Sequence, residues 1–198
     1  MIKLIIQSIR QKIVWIVVCG VLYPLAITVI AQLAFPAKAN GSLVERDGKV
    51  VGSELLAQQF TDPRHFWSRP SAATYGTGPS GFAGSSGSNL GPTSAQLQTN
   101  VRANAKALRE AHKLPADAPV PADLVYASAS GLDPHISPEA AHFQIARVAA
   151  ARGLGEDQVK ALVQKFIEPP QWGFLGEARV NVLLLNLALD AASAKKTG

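Results

Sequence analysis

The stretch "SASGLDPHISPEAA", Ser128 to Ala141, gathers three serines, an aspartate, a histidine and a glutamate close together. Such residue types can make a nucleophile, a base and an orienting acid, so Ser130, Asp133 and His135 are the candidates for a hydrolytic relay. The local pattern also has a structural meaning. Ser137 is a good N-cap, Pro138 suits the first helical position, and Glu139 complements the helix dipole. Asp133-Pro134 is likewise a turn signal. A serine hydrolase needs its serine on a strained elbow such as G-x-S-x-G, and neither "SAS" nor "SSGS" provides one. His135 and His142 lack an H-E-x-x-H-like partner, so no metal site is expected. The reading that remains is a packed structural loop that starts a helix, with hydrolase chemistry as the alternative.

Further upstream, "GTGPSG" formally matches a dinucleotide fingerprint, but no strand precedes it and no helix follows. No G-x-x-x-x-G-K-[ST] is present, so no cofactor is bound by a recognisable motif. Between Asp62 and Glu110 there is no acid, whereas Arg64, Arg69, Arg102, Lys106 and Arg109 are all basic. With the glycine-rich run beside them, Arg64, Arg69, Ser88 and Asn89 are candidates for contact with an anion. The competing reading is a solvated loop and a basic helix face.

These groups must be held by something, and the most distinctive element is the apolar one. Ile13 to Phe35 reads "IVWIVVCGVLYPLAITVIAQLAF", with no charge. As a helix it is about 34 Å long, enough for a hydrocarbon core of about 30 Å. Thirteen of its residues are Ile, Leu, Val or Phe, an insertion preference of about −4 to −8 kcal/mol before Gln32 and Pro24 subtract from it. A cleavable leader competes, because "AKA" resembles a cleavage site, but its apolar region would be only about 7–15 residues long. Length favours a retained anchor. Cys19, Gly20 and Pro24 are the candidates for close packing against a neighbouring helix.

Lys3, Arg10 and Lys12 precede the span without any acid. The positive-inside rule therefore places residues 1–12 in the cytoplasm, 13–35 across the bilayer and 36–198 outside. The net charge of +5 is concentrated there too. Four of the nineteen basic residues lie before Asn40, leaving fifteen against fourteen acids in the body, too even a balance for nucleic-acid binding. One cysteine, Cys19, excludes an intrachain disulfide.

The body reads as a small, mostly helical α+β domain. A hairpin is expected at Ser42 to Val51 around Asp47-Gly48, then a short helix through "ELLAQQF" capped by Ser53. Helical stripes follow: Leu97, Val101, Ala105 and Leu108; Ile145, Val148 and Ala149, stopped by Gly153; Val159, Leu162, Val163 and Phe166. Val180, Leu183, Leu184 and Leu187 form a last one.

Several stretches taken together carry a family resemblance. They are "YPL" at Tyr23, "ANGSL" at Ala39, "QFTDPRHFWSRPSA" at Gln59 and "GSNLGP" at Gly87. "VPADLVYASASGLDPHISPEAA" at Val120, "RVAAARGL" at Arg147 and "VNVLLLNLALD" at Val180 complete the set. In order and spacing the chain resembles, nearly end to end, the C subunit of bacterial Kdp potassium-transporting P-type ATPases. It departs at Tyr126, where the family often has threonine, and in "GSSGSN" for the usual "SGGSN". The resemblance implies a single-pass subunit of the bacterial inner membrane with a periplasmic domain. It implies three partners: a channel-like potassium-translocating subunit, an ATP-hydrolysing P-type subunit and a small membrane peptide. ATP and potassium are implied at the level of that complex, as is a catalytic-chaperone role that raises ATP affinity. The phosphorylation motif D-K-T-G is absent from this sequence, so the reading is a non-catalytic subunit.

Overall fold

The computed structural model describes residues 1–73 and 84–194. The chain divides into two compact units, Met1–Ser53 and Glu54–Gly198. "GTGPSG" lies outside the described residues.

The first unit opens with α1 (Ile2–Val17), a π-helical turn at Val18–Leu22, and α2 (Tyr23–Ala34). They form one helix of 33 residues, long and apolar enough to cross a membrane, with none of it buried by the rest of the chain. Proline explains the wide turn. Pro24 has no N–H for the Gly20 carbonyl and its ring crowds that group. The ladder responds by loosening, so that the Tyr23 N–H bonds to Val18 O, five residues back. Thr28 Oγ1 donates to Pro24 O at 2.8 Å, taking up a backbone acceptor beside the kink. Gln32, a polar residue near the end of the apolar run, also has a partner. Its side-chain amide and that of Asn40 exchange two hydrogen bonds of 3.2 and 3.1 Å across the short helix α3 (Pro36–Ala39).

The hairpin forms where Asp-Gly predicts it, with β1 (Leu43–Arg46) antiparallel to β2 (Lys49–Ser53). Asp47 and Gly48 both take positive φ, 52° and 71°, as a turn matched to strand twist requires. The helix expected through "ELLAQQF" does not form. Ser53 ends β2 and its hydroxyl donates to Gly41 O at 2.6 Å instead of capping a helix. A seven-residue helix has little stability of its own, and the Ala57 N–H pairs with Leu132 O.

In the second unit, α4 (Ala95–Ala111) is capped by Ser94, whose hydroxyl accepts from the Leu97 N–H. A 3₁₀ turn at Ala122–Leu124 leads to β3 (His135–Ile136) and α5 (Pro138–Arg152). Ser137 caps α5 through the Ala140 N–H, as the opening stretch suggested, and Gly153 ends it in the left-handed region at φ 63°. Then come α6 (Glu156–Lys165), β4 (Ile167–Glu168), β5 (Arg179–Asn181) and α7 (Val182–Ala194). The three short strands form an antiparallel sheet in the order β3-β5-β4, with Ile136 and Ile167 flanking Val180. This sheet is absent from the sequence-based expectation, because strands of two or three residues show no alternation.

Phe66, Ile136, Val148, Val163, Val180 and Leu185 centre the core. The stripes expected on α5 and α6 face it, as do Val101, Ala105 and Leu108 on α4, whereas Leu97 is only half-buried and lies outside that cluster. On α7 the expected stripe is half right. Val180, which belongs to β5, and Leu183 are buried, but Leu184 and Leu187 are only half-buried, and Val182, Leu185, Asn186 and Leu189 complete the buried set.

Candidate functional site

The segment from Asp62 to Arg69 is irregular, yet Phe66 within it is wholly buried. An irregular backbone inside a core must find partners for its N–H and C=O groups. Here they come from side chains on α5 and α7. Gln144 acts as a surrogate strand for Trp67, accepting from its N–H at 2.7 Å and donating to its carbonyl at 3.1 Å. Asn186 does the same for Phe66, at 2.8 and 2.9 Å. Arg147 donates to the carbonyls of Pro63 (2.6 Å) and His65 (3.1 Å), and Arg152 to that of Arg64 (2.6 Å). Five consecutive residues are thus held by four side chains, three of them, Gln144, Arg147 and Arg152, on α5.

Arg147 is the hub. Its guanidinium lies 4.0 Å from the Trp67 ring centre, donates to Gln144 Oε1 at 2.7 Å, and through Nε to His112 Nε2 at 3.2 Å. Burial lowers the Arg147 pKa to about 10, which leaves it charged at neutral pH. Burial, and then the Arg147 charge, push His112 down to about 4, so its imidazole is neutral and can accept. The sign of the resulting linkage follows. Below about 6.5 the unfolded chain takes up a proton on His112 that the folded chain refuses until about pH 4. Stability is therefore full above 6.5 and falls as pH drops toward 4. Thermal unfolding between pH 7 and 4.5 should show this loss, and His112→Gln should flatten the slope in that window.

Arg152 forms the second ionic centre. Its Nη2 meets Asp190 at 2.6 Å, and His65 Nε2 lies 3.2 Å from the same carboxylate oxygen. Burial opposes ionisation of Asp190, but hydrogen bonds from Arg152 and His65 outweigh it and hold its pKa below the usual value.

The residues singled out by sequence are placed differently. Ser130 Oγ meets Ser128 Oγ at 3.2 Å and the Leu132 N–H at 3.1 Å, and among the described residues it has no bond to His135. Asp133 accepts from the His135 backbone N–H at 3.0 Å and from Arg69 at 2.8 Å, while the His135 ring stands off at 3.7 Å. Burial would raise the Asp133 pKa, but hydrogen bonds from His135 and Arg69 outweigh it and bring it to about 2. The geometry is a loop tie between Arg69 and Asp133, not a Ser–His–Asp relay. Arg64 forks onto Asp62 at 2.8–3.2 Å and its hydrogen bonds lower that carboxyl to about 2. Ser88 and Asn89 are exposed, and among the described residues no bond joins them to Arg64 or Arg69. Cys19, Gly20 and Pro24 all lie exposed on the long helix, and a methyl group at Gly20 would meet nothing closer than 4.0 Å.

A cleft of about 430 Å³ opens beside the held segment, between Phe60, Trp67, Arg69, Asn104, Leu108 and Leu124. Its polar walls face inward to backbone: Ser68 donates to Gln58 O, Ser71 to Gly131 O and Asn104 to Val125 O. Among the described residues no group of three or more metal-ligating side chains occurs.

The family model described as "K+-transporting ATPase, c chain" (KdpC) matches residues 5–191. The chain belongs to the KdpC family. A potassium-transporting ATPase KdpC subunit of Methylococcus capsulatus is 54% identical over 187 residues, covering 93% of this chain and 95% of that protein. The KdpC subunit of Sorangium cellulosum is 58% identical over 175 residues, 87% and 90% of the two chains. That of Polaromonas naphthalenivorans is 59% identical over 172 residues, 87% and 86%. The chain is thus similar throughout to subunits of a potassium-transporting ATPase. The segment that α5 and α7 hold is the "QFTDPRHFWSRPSA" stretch that carried the resemblance. Gln144, Arg147, Arg152 and Asn186, which hold it, are the residues sequence reasoning missed. The available signal was polar side chains on otherwise apolar helices.

Proposed function

We propose that this chain is a non-catalytic accessory subunit of an ATP-driven potassium uptake pump. It stabilises the joining of a channel-like translocating subunit to an ATP-hydrolysing P-type subunit, with a small membrane peptide alongside. The N-terminus stays in the cytoplasm of a bacterial cell, one helix crosses the inner membrane, and the body faces the periplasm. The observation that carries this reading is the 33-residue helix, long and apolar enough to cross a membrane and with no covering from its own chain, whose N-terminal turns carry Lys3, Arg10 and Lys12 and no acid. Such a surface is stable in lipid and against other membrane helices. Its wide turn exposes Cys19 and Gly20, where a neighbouring helix can come close. The body supports a bracing role, since Gln144, Arg147 and Asn186, buried polar side chains, are engaged in holding its own backbone. Potassium and ATP belong to the complex. An effect on ATP affinity from a periplasmic body would travel through helix packing as a coupling between sites.

Purification through a tag on this chain, in mild detergent, should bring down two large membrane partners in fixed proportion. A chain that purifies alone from cells expressing the whole pump would overturn the accessory reading and favour a free-standing hydrolase or anion-binding module.

A further inference from the structure

The connection between β4 and β5 ends in an ordered tip that shows apolar side chains to solvent. Trp172 is 77% exposed, Phe174 74% and Leu175 44%. The tip is not loose chain. Gln171 and Leu175 exchange two backbone hydrogen bonds of 2.9 Å, and the Gly173 N–H bonds to Pro170 O at 2.9 Å. Trp172 itself sits at φ 55°, a region unfavourable for a side chain with a Cβ, between turns that fix it there. Backbone strain is thus accepted to hold a tryptophan outward.

The tip itself is uncharged, with one exposed acid, Glu177, following it. Residues 169–176, "PPQWGFLG", carry no charge. At the root of the hairpin Glu168 and Arg179 neutralise each other at 3.0 Å. The other exposed large apolar side chains described in this unit, Leu55, Leu114 and Tyr126, lie on other segments. Three side chains on one protrusion are far short of the roughly 800 Å² per partner that a stable protein contact needs. They suit a bilayer interface, where each aromatic contributes on its own and tryptophan is favoured. The chain carries its own bilayer anchor, so such a surface is always near.

We propose that the Trp172–Leu175 tip inserts into the headgroup–acyl boundary of the membrane and gives the body a second, shallow lipid contact. The inference rests on the anchored reading of the long helix and adds a contact that this reading does not require.

The test uses the full-length chain with Trp15→Phe, so that Trp67 and Trp172 alone emit. It is reconstituted into phosphatidylethanolamine–phosphatidylglycerol vesicles, with or without lipids brominated near the top of the acyl chain. A Trp15→Phe/Trp172→Phe double variant supplies the Trp67 emission to subtract. The Trp172 emission should be blue-shifted and should lose most of its intensity in brominated vesicles. Equal intensity in both vesicles, with full quenching by aqueous iodide, would overturn the proposal. So would shielding of Trp172 that appears only after the other pump subunits are added, which would make the tip a protein contact. Resistance of the chain to alkaline extraction from the same vesicles reads the anchor separately. A chain that washes off has lost the anchored reading, whereas one that stays without Trp172 quenching has lost only the tip.

Discussion

Replacing Arg147 with methionine should lower the stability of the body by about 3 kcal/mol, through loss of buried, charge-assisted hydrogen bonds. Methionine keeps much of the volume, so the loss comes from polar partners left behind. The carbonyls of Pro63 and His65 lose the Arg147 donors, and His112 loses the donor to its neutral ring nitrogen. The contact with the Trp67 face goes as well. For a unit of this size the unfolding midpoint should drop by about 6–12 °C. Arg102→Met, on the exposed face of α4, is the control and should change stability by no more than about 0.5 kcal/mol. Thermal melts of the detergent-solubilised chain compare the two. An Arg147→Met variant as stable as the control would mean that the segment 62–69 holds its own shape.

The second large effect concerns sidedness. Changing Lys3, Arg10 and Lys12 together to glutamate removes every lysine and arginine before the span and leaves Lys38 beyond it. The charge bias then reverses, and most chains should insert with the body in the cytoplasm or fail to insert. Protease added to intact spheroplasts reads the outcome. The body of the natural sequence should be digested, and that of the triple variant should be mostly protected. Recovery of the assembled pump should fall in step. A natural sequence already protected in spheroplasts would reverse the proposed orientation and reopen direct contact with cytoplasmic nucleotide.

Some of this architecture was legible because local chemistry and final structure agree. Asp47-Gly48 can turn a hairpin with little tertiary help, and Ser137-Pro138 with Gly153 marks both ends of α5. The α7 face was misread because Val182 to Leu189 is apolar nearly all round, so several helical phases fit. The stripe through Leu184 and Leu187 does not include Asn186, which is in the core because Phe66 needs an amide there. The cations were misjudged for a related reason. Counting acids along the chain leaves Arg69 unopposed, but its partner Asp133 arrives from 64 residues away. Gln144 looks like an ordinary surface glutamine until Trp67 is placed against it, 77 positions earlier. What escaped the sequence was the set of long-range polar pairings, which no local period encodes.

The order of those pairings has a consequence for biosynthesis. Phe66 leaves the ribosome 120 residues ahead of Asn186, the group that completes it. A copy broken off before Val182 would keep its lipid tether yet leave that phenylalanine unmet. The backbone groups of Phe66 are therefore satisfied only once α7 has been made.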